Sequence, residues 1–122
     1  MALQTVGIDH VVLWVRDLER SKKFYTDLLG MTVAHESSWQ SFLHCGPQQV
    51  ALFQIRDGQG VVPGSEVNHM ALRLAAGQYE DVKAALEGAG CTVHGRPGDP
   101  QCLYFDDPDG HHLQVLTPAE QG

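Results

Sequence analysis

The sequence predicts an α+β fold: two βαβββ repeats forming a curved mixed sheet, with helices on its outer face. Three observations predict it. Each half opens on a β-branched, apolar stretch, at residues 8–15 and 67–74. Each opening is followed by a helical pattern closed by a glycine, Gly30 in the first half and Gly90 in the second. Finally, segments match across the halves in order. Asp9-His10-Val11-Val12-Leu13 lies 59 residues before Asn68-His69-Met70-Ala71-Leu72. Gly30-Met31-Thr32-Val33 and Phe53-Gln54-Ile55 each lie 60 residues before Gly90-Cys91-Thr92-Val93 and Leu113-Gln114-Val115.

Taken in order, residues 8–15 form a strand and Asp17 caps a helix. Leu18, Ser21, Tyr25, Leu28 and Leu29 recur on one helical face. Strands follow at 31–35, 41–44 and 50–55, with Cys45-Gly46-Pro47 as a turn. Residues 56–65 contain Gly58, Gly60, Pro63 and Gly64 and read as a linker. The pattern then restarts with a strand at 67–74 and a helix marked by Tyr79, Val82, Leu86 and Ala89. A strand at 91–94, a loop at 95–100 and strands at 103–105 and 112–116 complete it, the last two joined by the turn Asp107-Pro108-Asp109-Gly110. The whole chain, 1–122, is expected to be one domain, with repeats at about 6–56 and 66–118.

Eight basic against fifteen acidic residues give a net charge of −7. That balance argues against nucleic acid and anionic membrane, both of which need a basic face. No apolar run approaches a membrane span, and the start has neither a basic leader nor a long apolar segment. The three cysteines form no Cys-x-x-Cys pair, which fits reduced thiols and a cytoplasmic location.

Alternation places Val11, Leu13 and Val15 on one strand face and His10 and Trp14 on the other. Likewise His69 and Arg73 oppose Met70, Leu72 and Leu74, and Gln114 opposes Leu113 and Val115. By the repeat, Gln54 is expected to join His10, His69 and Gln114. Imidazole and amide donors converging on an inner sheet face suit a divalent ion such as Zn, Ni, Fe or Mn. Taken singly, a histidine in such a place is more often an ordinary strand residue, and it is the pairing across the repeats that points to a metal. His112 shares the Gln114 face as a substitute ligand, pocket base or surface residue. His111 is expected in solvent, and His35 and His94 on the surface. Trp14, Arg73 and His112 are candidate substrate-binding residues, with Arg73 suited to an anion.

Together, Asp9-His10-Val11, Val15-Arg16-Asp17-Leu18-Glu19-Arg20-Ser21 through Phe24-Tyr25 and Leu28-Leu29-Gly30, Asn68-His69, and Phe105-Asp106-Asp107-Pro108-Asp109-Gly110 with Gln114 resemble the vicinal oxygen chelate superfamily. That superfamily includes glyoxalase I, bleomycin- and fosfomycin-resistance proteins and extradiol dioxygenases. The resemblance spans almost the whole chain. It implies a glyoxalase-like or dioxygenase-like enzyme in which a divalent metal chelates a small substrate through vicinal oxygens. It implies ligands at His10, Gln54, His69 and Gln114, and a homodimer whose chains complete each site. In place of the glutamate most common on the family's last strand, this chain has Gln114. A neutral set leaves the metal's charge uncompensated, favours anionic substrates and removes a candidate base. The alternative is a metal-free protein of the bleomycin-resistance type that sequesters a drug or metabolite.

Overall fold

The computed structural model describes residues 2–65 and 67–121. Glu66, where the second repeat was expected to begin, lies outside them, as do both terminal residues. The chain divides into two compact units, up to Val61 and from Val62. The boundary falls within the Gly/Pro stretch 56–65.

The first unit is a four-stranded mixed sheet in the order β1-β4-β3-β2. Its strands are β1 (His10–Val15), β2 (Thr32–Glu36), β3 (Gln40–Cys45) and β4 (Gln48–Gln54). β1 runs parallel to β4, and the other pairs are antiparallel. Leu13, Val15, Leu43, Val50 and Leu52 are buried on one face. Helix α1 (Leu18–Lys23) covers them, with Leu18 and Ser21 buried. Asp17 caps α1, its carboxylate accepting from the Arg20 backbone N–H at 3.1 Å. The helix does not continue as the plain α-helix its periodicity predicts. Phe24–Leu28 widens into a π-helical turn, where the Thr26 hydroxyl donates to the Lys22 carbonyl at 2.9 Å and competes with the regular ladder. Buried Tyr25 sits in this turn.

The second unit repeats the plan, in the order β5-β8-β7-β6. Here the strands are β5 (Met70–Arg73), β6 (His94–Arg96), β7 (Asp99–Asp106) and β8 (His112–Leu116), with helix α2 (Tyr79–Gly88). Leu103, Phe105, Leu113 and Val115 form the buried face, joined by Leu86 of α2. Each such side chain contributes about 1.5–3 kcal/mol on leaving water. Two local expectations change. The strand predicted at 91–94 starts only at His94, because the Cys91 N–H is still tied to the Leu86 carbonyl at the helix end. The loop predicted at 95–100 is instead a tight hairpin in which Arg96 pairs with Asp99. Glycine is needed at position 95 for close approach: a Cβ there would lie 2.4 Å from the Pro100 carbonyl oxygen.

The expected α+β architecture is therefore present as two four-stranded sheets. Among the described residues no helix is long and apolar enough to cross a membrane.

Candidate metal and substrate site

In the second unit the register defines a polar face opposite the core. Gln114 lies between Ala71 and Tyr104, and Asp106 opposes His112. His94 pairs with Tyr104 from the other side. His69, just before β5, meets Tyr104 edge to face at 5.6 Å, and His94 stacks on the same ring at 5.6 Å. The Arg96 guanidinium donates to the Tyr104 hydroxyl at 3.3 Å. His69, His94, Arg96, Tyr104, Asp106 and His112 line a cavity of about 410 Å³.

Three histidines on this wall have Nδ1 committed. His69 Nδ1–H donates to Asn68 Oδ1 at 2.8 Å, His94 to the Gly95 carbonyl at 3.1 Å and His112 to Asp106 at 2.7 Å. Each hydrogen bond leaves Nε2 as the free nitrogen. Gln114 is buried, 7 % exposed, and among the described residues no group hydrogen-bonds its side chain. Its amide is not sealed off either, since every fully occluded side-chain N or O there has a partner.

The first unit mirrors this arrangement. His10 Nδ1–H donates to Asp9 at 2.7 Å. His10 meets Phe42 edge to face at 5.4 Å, and His35 stacks on Phe42 at 4.4 Å. Each unit thus sets one aromatic ring between two imidazoles. Trp14, half-buried, lies on the same face against Phe53.

Gln54 does not share that face. It pairs with Val15 on the helix side of the sheet. Its Oε1 accepts from the Leu18 N–H at 2.8 Å, and its Nε2 donates to the carbonyls of Arg16 and Ile55. The ladders show why the repeat misleads here. Val12 faces Ala51 as Ala71 faces Gln114, so the counterpart of Gln114 is Ala51, 63 residues earlier, and not Gln54. A shift of three residues is odd and reverses the face. The amide is engaged in starting α1 and is not offered to a metal.

His111 departs from its expected solvent position. It is buried, and its Nδ1 bonds Asp107 Oδ2 at 2.7 Å. Asp107 Oδ1 also accepts from the Asp109 and His111 N–H groups, so the pair stabilises the turn before β8. Arg73 is exposed on the face of Ala71 and Gln114, with no hydrogen bond or ion pair among the described residues. Sequence reasoning gave no site role to Asn68 or Arg96 and read His94 only as a surface residue. Of these, Asn68 was findable, because an amide or carboxylate precedes the histidine in both repeats.

Imidazoles with Nδ1 held and Nε2 free, and an unclaimed amide oxygen, are donors that fit a borderline divalent ion. Among the described residues no three His, Cys, Asp or Glu side chains are grouped to hold one, so any such ion would need the Gln114 amide or donors brought from elsewhere.

The family model for the Glyoxalase/Bleomycin resistance protein/Dioxygenase superfamily matches residues 7–115. The chain belongs to this superfamily. Within it, the chain is 34% identical over 111 residues to the glutathione transferase FosA of Serratia marcescens, covering 89% of this chain and 79% of that one. It is 29% identical to the metallothiol transferase FosB of Staphylococcus haemolyticus, covering 91% and 83%. A solved structure, integron cassette protein HFX_CASS4 from the Halifax Harbour sewage outfall metagenome, is 29% identical with a TM-score of 0.71. The match covers 91% of this chain and 97% of that one.

Proposed function

We propose that this chain is a divalent-metal-dependent enzyme that transfers a thiol to a small, oxygen-rich electrophile. His10, His69 and Gln114 are its proposed ligands. The observation that supports this reading is that His69, its Nδ1 tied to Asn68, lies two residues before Ala71, whose ladder partner Gln114 has no side-chain hydrogen bond among the described residues. The names of the two transferase relatives support thiol transfer over the other chemistries open to the superfamily. Iron oxygenases favour two histidines and a carboxylate, and Gln114 supplies no charge. A bound divalent ion would supply a Lewis-acid centre for vicinal substrate oxygens. Arg73 is the proposed anion contact, Trp14 and His112 are further substrate contacts, and Tyr104 and Arg96 complete the polar wall.

The same reading includes a homodimer. Exposed Leu3, Val6 and Ile8 near the start, and Val33 on β2, provide apolar surface for it.

Thiol consumption tests the proposal. Protein stripped by a chelator, then reloaded separately with Mn, Zn, Ni or Fe, is offered glutathione or cysteine and a panel of small epoxides, fosfomycin included. At least one metal is expected to restore turnover that EDTA abolishes. Turnover indifferent to metal, or ligand binding by metal-free protein without turnover of any panel member, would instead favour sequestration.

A further inference from the structure

The face of the first sheet that carries His10 is paved with aromatic rings. Phe42 lies 5.4 Å from the His10 ring and 5.9 Å from Phe53. Trp39 and Trp14 meet Phe53 at 5.1 and 6.0 Å. These rings are not the unit's hydrophobic core. That role belongs to Leu13, Val15, Leu43, Val50 and Leu52 on the helix side. Trp39 is 40 % exposed and Val12, between His10 and Trp14, is 39 % exposed. Trp14, Phe42 and Phe53 are half-buried beside them, so the face is a partly exposed aromatic surface suited to a ligand. The pairs cross at 63–80°, which leaves the Phe53 and Trp14 faces uncovered by one another, while His35 covers one face of Phe42. Trp39 already receives a flat cation, the Arg56 guanidinium, at 5.6 Å.

We infer that the substrate carries an aromatic or similarly flat apolar group beside its chelating oxygens, and that Phe42, Phe53, Trp14 and Trp39 receive it. The inference rests on the function proposed above and follows from continuity with His10. His10 would hold the metal-chelated end of such a molecule, and Phe42 beside it, with Phe53 and the tryptophans beyond, would receive the body. A compact, fully polar substrate would leave these rings in water.

Two chelators with the same metal-binding group and different bodies separate the possibilities. Benzohydroxamate and acetohydroxamate are titrated into the metal-loaded protein by calorimetry, with tryptophan fluorescence read in parallel. Benzohydroxamate is expected to bind about tenfold tighter or better and to quench the tryptophans. Phe53→Ala should reduce that preference to about threefold or less, with metal content and acetohydroxamate affinity unchanged. Phe53→Leu serves as the control for folding, because it keeps bulk without a ring. Equal affinity of the two probes for the unaltered protein overturns the inference and leaves the metal reading standing. Absence of metal-dependent binding by either probe overturns both. A tryptophan signal that follows protein dilution and ignores the probes also overturns it, by showing that the face joins copies of the chain.

Discussion

Asn68 illustrates how one side chain can decide the chemistry of its neighbour. By accepting the His69 Nδ1 proton it sets the tautomer, holds the ring and leaves Nε2 with its lone pair free. Asp9 Oδ2 does the same for His10. Asn68→Ala is therefore expected to weaken divalent-metal binding about 10–100-fold with the fold intact, measured by competition with a chromophoric chelator. Undiminished affinity would show that the orienting bond is incidental. The thiols give a second prediction at this scale. Burial raises the Cys45, Cys91 and Cys102 thiols above the usual range, and for Cys102 the Asp99 carboxylate at 2.8 Å adds to the effect. A thiol whose pKa is raised on folding holds its proton where the unfolded chain has lost it. Its stabilisation is complete below the unfolded value, about 8.5, and fades as pH rises from there through the folded values. Denaturant midpoints should thus fall as pH rises above about 8.5, and replacing Cys102 with Ala should flatten that slope.

The start of α1 shows what an element requires and how far sequence reveals it. Asp17 as cap was legible, because a short acidic side chain before an apolar periodic run has one common use. Gln54 was not. Periodicity reads faces within a strand, but the register between strands depends on turn lengths, and the stretch between the paired strands is four residues longer in the second half, which leaves Gln54 three residues from the true counterpart of Gln114. The apparent equivalence of Gln54 and Gln114 was a match of letters on opposite faces. Gln54→Leu should cost about 1–3 kcal/mol in urea unfolding, since it strips hydrogen bonds from the Leu18 N–H and the Arg16 carbonyl. Metal stoichiometry should not change. Loss of metal with stability intact would return Gln54 to the ligand set. His111 was misread for a related reason: a histidine beside a turn glycine looks exposed until the Asp107 side chain folds back to claim it.

For the molecule as a whole, duplication was readable before any coordinates, because each half must bury one sheet face under one helix, and that need repeats as a pattern of apolar spacing. The polar side of each sheet is freer to diverge, and it has done so. The first unit turned its Phe42 face aromatic, whereas the second surrounded Tyr104 with histidines and Arg96. That divergence is why the superfamily is evident from sequence while the substrate is not. What both units keep is a histidine held by the residue before it, and the account depends on those two residues binding metal. Elemental analysis after loading with Zn or Mn and exhaustive dialysis tests this directly. About one ion per chain is expected in the unaltered protein, falling to about a tenth or less in His10→Ala and in His69→Ala. No retained metal in the unaltered protein, or equal metal in all three, would contradict it.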